Sequence, residues 1–277
     1  MADLNTTNFQ ETIINLSETV NSVDNRKIVK ILEKYETIPQ EYKNLQKLTR
    51  DLKRLHPHLF SKDIVLDNNK IISLKQQERN KQKILDSYAK KIHALNSLEK
   101  MTKYLEGSQE KTEEIKNKLE KIFPSKNYEH SFRVKEPINI LKANNLKKMS
   151  PFSDIIGLRT IPQKSLWLPQ TVEKFEKNFG HEIAYKTNSF AYTQRELIKR
   201  KGKNSIYYRA IHYHLSANKF FAEIQIRTPA IDQWSKLSRA TIYKTRRKFP
   251  NQAKKYIMEF GRRANIVDYF EIINDFN

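Results

Sequence analysis

Apolar residues recur at two different periods along this chain, and the change of period divides it. Phe9, Ile13, Leu16, Val20 and Val23 are spaced alternately four and three apart, an amphipathic helical stripe of heptad type. Asp24 or Asn25 offers a cap for a second helix through Tyr35. Pro39 can start a third, with Tyr42, Leu45, Leu48, Leu52 and Leu55 on one side. Such stripes must be buried on each other or on a partner. Residues 1–70 are therefore read as an all-helical extension, serving either as core or as a regulatory or partner-binding surface. Residues 63–72 read as a connector with Asp67-Asn68-Asn69 as its turn. Ser73 and Gln76 form a capping box for a long helix ending near Gly107. Ser108 opens another, stopped by Pro124.

Beyond Pro124 strand and helix patterns alternate. Strands are predicted near 128–134, 154–161, 182–187, 206–215 and 219–227. A helix near 168–179 ends at Gly180, and helices near 230–244 and 252–273 close the chain. Residues 71–277 are thus an α+β (α/β-like) domain. Helices fill 74–123, a mixed sheet of about five strands packed with helices fills 128–228, and basic helices fill 230–274. There is no internal repeat. The hexapeptide Glu223-Ile224-Gln225-Ile226-Arg227-Thr228 alternates strictly. It sends Ile224 and Ile226 to a core and Glu223, Gln225 and Arg227 to the open face. One reading is an ordinary amphipathic edge strand. The other is a metal and phosphate site, which a carboxylate beside a guanidinium on a rigid strand would suit.

Composition narrows the choice. No run of 18 apolar residues is present, so no membrane span is expected. The first residues, Met-Ala-Asp-Leu-Asn, lack the basic and apolar regions of a secretory signal. The absence of cysteine excludes disulfides, thiol catalysis and cysteine-ligated zinc. A cytoplasmic location fits these features. His56-Pro57-His58 has neither helical register nor a third ligand and reads as loop rather than metal site. The net charge is +21, and it is uneven. Residues 121–277 hold 30 Lys and Arg against 13 Asp and Glu, and residues 1–120 hold 22 against 18. Such a field draws polyanions. The stretch 244–263 carries eight basic residues and one acid, either a solvated face or a grip for something larger than a mononucleotide.

Five short segments stand in a telling order: Arg133-Val134-Lys135; Asp154-Ile155-Ile156-Gly157-Leu158-Arg159; Tyr208-Arg209-Ala210-Ile211-His212; the hexapeptide; and Trp234 followed by Tyr243-Lys244. In that register, over roughly residues 75–250, the chain resembles the synthetase domain of the RelA/SpoT family. The resemblance implies a RelA/SpoT nucleotidyltransferase-like fold. It also implies a pyrophosphokinase that moves the β,γ-pyrophosphate of ATP to a 3′-hydroxyl of a second nucleotide. By position, Asp154 and Glu223 match the family's magnesium ligands, and Glu223 is alternatively the acceptor of the attacking hydroxyl's proton. Arg133 and Arg159 match the arginines that sandwich adenine, a task for a planar guanidinium. Lys135 would reach the triphosphate. Tyr208 would stack on the acceptor base, and His212, Lys199, Arg200, Lys203, Gln225 and Arg227 complete the acceptor side. Trp234 reads as packing.

The departures fall mainly on that acceptor side. The glycine before Tyr208 is Tyr207, a serine after Arg133-x-Lys135 is Asn139, a lysine is Ala143 beside Lys142, and the Glu-His pair after the tryptophan is Ser238-Arg239. No His-Asp dipeptide occurs, so the hydrolase half of long family members is not expected. The acceptor then stays open between GDP or GTP, giving (p)ppGpp-type alarmones, and a toxin-type reaction on the 3′ end of tRNA or on an adenosine nucleotide. An inactive nucleic-acid-binding domain is the reading from another class. A neutralising partner protein and a homo-oligomer are both compatible with the extension.

Overall fold

The structure is a computed structural model. It describes residues 45–60, 66–67, 70–71, 79, 83, 86, 98–136, 155–191, 206–217, 220–239 and 251–274. The helices read at 9–23 and 24–35 lie outside the described residues.

A five-stranded sheet organises the rest. Its strands are β3 (Tyr128–Val134), β4 (Ile156–Pro162), β5 (Ile183–Asn188), β6 (Ile211–Ala217) and β7 (Phe220–Ile226), in the order β3-β4-β7-β6-β5. Only β4 and β7 run parallel; the other three pairings are antiparallel. A small hairpin precedes them, with β1 (Leu66–Asp67) on β2 (Lys70–Ile71), where the sequence set its turn. The edge strand β3 alternates between half-buried and exposed positions, and the interior strand β4 is buried almost throughout. That difference is what an edge and an interior position require.

One face of the sheet is apolar. Leu158, Ile224 and Tyr213 point to it and meet α3 (Leu168–Phe179), whose Phe175 lies 4.5 Å from the Tyr213 ring and 4.6 Å from Phe179. Two polar groups on this face are paired rather than stranded. Glu176 accepts from the Tyr213 hydroxyl and from the buried Lys186 ammonium, each at 2.7 Å. The long α2 (Leu98–Ile122) packs here too, through Leu105, Ile115 and Leu119.

The sequence breaks α2 at Gly107-Ser108; the structure runs straight through. The Ser108 hydroxyl donates to the Tyr104 carbonyl at 2.8 Å, and Thr112 donates to the Ser108 carbonyl. Ser108 is therefore an interior residue bonding one turn back, not a cap. Burial of one face outweighs the roughly 1 kcal/mol a helical glycine costs.

The C-terminal helices close one end of the sheet. They are α4 (Pro229–Ser238) and α5 (Asn251–Asn274). Asp268 of α5 is the fastening. Its carboxylate accepts from the hydroxyls of Ser165, just past β4, and Thr228, just past β7, and from the Ile231 N–H in the first turn of α4. Burial pushes this carboxyl up to about 7, against the pull of those hydroxyls. Helix α1 (Leu45–Leu55) lies along α5, with Leu48 and Leu52 in the same core as Ile266 and Ile272. His56 is buried at the end of α1 rather than free in a loop, and its ring meets His58 edge-on at 5.7 Å. No helix among the described residues is long and apolar enough to cross a membrane.

Candidate active site

The other face of the sheet gathers the polar residues. Gly157 stands opposite Arg133 on one side and Glu223 on the other. Arg159 stands opposite Ser131 and Gln225, and Gln225 opposite His212. Residues opposite each other, or two apart on one strand, share a face. Arg133, Arg159, Glu223, Gln225 and His212 therefore form one surface drawn from four strands, β3, β4, β7 and β6. At Gly157 a side chain would collide with Arg133, since an added Cβ would sit 2.8 Å from its Nε. The bare backbone there lets the Arg133 stem lie across the strand.

Glu223 is 9 % exposed, and both its oxygens are engaged. His212 Nδ1 donates to one at 2.7 Å and Gln225 Nε2 to the other at 2.8 Å. Burial alone would raise its carboxyl, but the hydrogen bonds it accepts from His212 and Gln225 hold it below the usual carboxylate range. The network continues outward. Arg227 donates to the Tyr208 hydroxyl at 2.8 Å, and that hydroxyl lies 2.8 Å from His212 Nε2. The hydroxyl thus accepts from the guanidinium and has its proton left for His212 Nε2. This assigns the Nδ1–H tautomer that Glu223 needs. Arg227, Tyr208, His212 and Glu223 are one chain of donors ending on a carboxylate.

Beside Glu223 a cleft of about 250 Å³ opens, bordered by Arg133, Arg159, Arg227 and Arg239 with Ser131 and Gln225. None of the described residues that border it is acidic. Four guanidiniums without a carboxylate in the wall make a site for a polyanion. The counter-charge lies behind the wall, in Asp232 of α4. Its Oδ1 is 3.1 Å from Arg159 and 3.3 Å from Arg227.

Gln225 and Arg227, which the resemblance set on the acceptor side, lie in the same cleft wall as Arg133 and Arg159. Lys135 follows β3, and its N–H bonds the Ile155 carbonyl at 2.8 Å. Asp154, Lys199, Arg200 and Lys203 lie outside the described residues, as do Asn139, Lys142, Ala143, Tyr243 and Lys244. Trp234 is buried and donates to the Ile257 carbonyl at 2.7 Å, the packing role expected of it. Tyr207, in the place of the family glycine, turns to α5. A Cβ at Gly261 would come within 2.9 Å of the Tyr207 Cβ, and Asn265 donates to the Tyr207 carbonyl. The strand read from 206 accordingly begins only at Ile211. Two site residues escaped the sequence reading, Asp232 and Arg239. Arg239 hid among the basic residues of the C-terminal segment.

A polar sheet face with a buried carboxylate beside an arginine-lined cleft, on an α+β scaffold, is suited to binding a phosphorylated substrate. Residues 132–248 match the family model described as the region found in RelA / SpoT proteins. The match indicates a pyrophosphokinase, and so a transferase, domain. The structure is similar to small alarmone synthetase 1 from Bacillus subtilis, at 25 % identity over 63 % of this chain and 95 % of that one, with a TM-score of 0.45. The same protein bound to its product pppGpp matches at 22 % identity over 60 % and 92 % of the two chains, TM-score 0.44. A GTP pyrophosphokinase family protein from Streptococcus pneumoniae matches at 20 % identity over 74 % and 96 %, TM-score 0.40. No curated protein matches the sequence.

Proposed function

We propose that the chain transfers the β,γ-pyrophosphate of ATP to the 3′-hydroxyl of a guanosine nucleotide, GDP or GTP. The observation that carries this reading is the buried Glu223–His212 pair on the same sheet face as the four-arginine cleft, with Gln225, which lines the cleft, donating to Glu223. Arg133 and Arg159 stand on neighbouring strands, two residues out of direct register. Diagonal neighbours of this kind are separated by about 7 Å, the distance at which two guanidiniums can stack on the two faces of one base. That supports adenine between them, with Arg227, Arg239 and Lys135 for the phosphates.

Glu223 has the chemistry of a magnesium ligand. It stays ionised, and each oxygen keeps a lone pair beyond its one described hydrogen bond. Magnesium prefers one or two carboxylates plus substrate phosphates to a full protein cage. Glu223 with Asp154 would hold it. Bound there, magnesium draws negative charge from the phosphates.

In this reading the chemistry is a displacement at phosphorus. The acceptor 3′-oxygen attacks the β-phosphorus of ATP, the bond from that phosphorus to the α,β-bridging oxygen breaks, and AMP leaves. The hydroxyl's proton goes to a remaining lone pair of a Glu223 oxygen, while His212 keeps its Nδ1–H bonded to that carboxylate. Arg227 and Tyr208 hold His212 in the tautomer that lets it do so. In this reading the Tyr208 ring also faces the acceptor base.

A tRNA acceptor is the second reading, favoured by one observation. Helix α5, which carries half of the basic 244–263 stretch, is tied directly to the acceptor segment through Asn265 on Tyr207 and Tyr269 on Arg209. Incubation with γ-labelled ATP and, separately, GDP, GTP, AMP, ADP and bulk tRNA tests both. Label on GDP or GTP is the expected result. Label on tRNA alone, lost by a decade or more between about 50 and 200 mM salt, would transfer the assignment to the second reading. Label on none would overturn both.

A further inference from the structure

We infer that Asp232 is a positioning residue for base recognition, fixing the guanidinium of Arg159 from behind the cleft. The inference rests on the reading of that cleft as the ATP site. Asp232 is 2 % exposed and sits in the first turn of α4, its N–H bonded to the Thr228 carbonyl at 3.0 Å. An anion is favoured at a helix start. Its carboxylate serves three cations: Oδ1 meets Arg159 and Arg227, and Oδ2 meets Lys236 at 2.9 Å.

The three do not depend on it equally. Lys236 is half exposed and also pairs with Glu129 at 3.0 Å. Arg227 has two further anchors, the Tyr208 hydroxyl and the Gln225 side-chain carbonyl. For Arg159 the contact with Asp232 is its ion pair among the described residues, and its Nε is buried with no partner there. Burial and the nearby Arg227 both work against the charge on Arg159, and Asp232 works for it. Asp232 therefore does two things for Arg159. It neutralises the repulsion from Arg227, and it sets the plane in which the guanidinium lies. Loss of the carboxylate frees Arg159 to turn and leaves Arg227 where it is.

That asymmetry gives the test. Asp232→Asn keeps the size and removes the charge. Calorimetric binding of ATP and of inorganic tripolyphosphate is measured on the full chain, with thermal melting alongside. The expected result is ATP binding weaker by about tenfold, the worth of one desolvated stacking contact, with tripolyphosphate binding kept or tightened. Lys236→Ala, which breaks only the outer contact of Asp232, should leave ATP binding within about twofold. Unchanged ATP binding in Asp232→Asn overturns the inference and leaves the ATP reading standing. Parallel loss of ATP and tripolyphosphate, or an equal ATP loss in Lys236→Ala, makes Asp232 merely structural and overturns it as well. If Asp232→Asn gives no cooperative melt, the same comparison is made with Asp232→Glu, where the displaced carboxylate should again cost ATP and spare tripolyphosphate. A parent chain that binds no ATP overturns the function proposed above, and the inference with it.

Discussion

Replacing Glu223 by glutamine separates the chemistry of the site from its stability. The change keeps shape and turns one carboxylate oxygen into an NH2 donor. Both oxygens now accept, one from His212 Nδ1 and one from Gln225 Nε2. Whichever way the new amide turns, one donor faces another. His212 can relieve the conflict only by moving its proton to Nε2, and the Tyr208 hydroxyl must then give up its bond to that nitrogen. One buried hydrogen bond is therefore lost or reversed, which costs about 1–3 kcal/mol. For a domain of this size each kcal/mol lowers the melting temperature by about 2–4 °C, so a fall of roughly 2–12 °C is expected, with the fold kept. Activity should drop much further, by about 10² to 10⁴, the range for loss of a positioned proton acceptor. Calorimetry and single-turnover transfer of label from ATP measure the two effects on one sample. Activity within tenfold of the parent, in a variant with the expected melting temperature, would refute the placement of Glu223 at the reacting centre.

Three further outcomes follow from particular contacts. Arg159→Lys keeps charge and loses the flat surface, so KM for ATP should rise about tenfold with the acceptor KM little changed; equal rises for both would show that Arg159 only supports the sheet. Gly157→Ala sets a methyl 2.8 Å from Arg133 Nε. Because a long side chain can yield, melting should change by less than about 1 kcal/mol while ATP affinity falls, and an unaltered affinity would contradict the placing of Arg133 over that backbone. Asp268 carries a folded pKa of about 7 against an ordinary 3.8, raised by burial. A raised carboxyl binds its proton more tightly folded than unfolded, so its contribution is full below the unfolded value and is lost as pH rises from about 4 through 7. The loss is a few kcal/mol, each pKa unit being about 1.4 kcal/mol. Asp268→Asn, which imitates the protonated form, should flatten that part of a denaturation-versus-pH curve; an unchanged slope would contradict it.

The sheet was legible because its strands carry their own evidence. Tyr128–Val134 was read to the residue, and the alternation of Glu223 to Arg227 put the right side chains on the open face. The failures have local causes. Gly107 and Ser108 have the composition of a helix junction, yet Ser108 satisfies its hydroxyl one turn back within α2. Ile206 and Tyr207 look strand-like, but Asn265 holds the Tyr207 carbonyl in a turn. Asp232 and Arg239 could not be found by spacing, because their partners are brought together only by the parallel pairing of β4 with β7 and the docking of α4 beyond it. A single carboxylate between Ile231 and Trp234, both buried, in a strongly basic segment was the one available signal for Asp232.

Pyrophosphoryl transfer has a stoichiometry that no other use of ATP shares. Phosphorus-31 NMR of the full chain with magnesium, ATP and GDP follows every phosphate at once. The account predicts AMP and a new 3′-diphosphate appearing in equal amounts, with neither free phosphate nor free pyrophosphate. ADP with free phosphate, AMP with free pyrophosphate, or an unchanged spectrum under conditions where ATP is bound would contradict it.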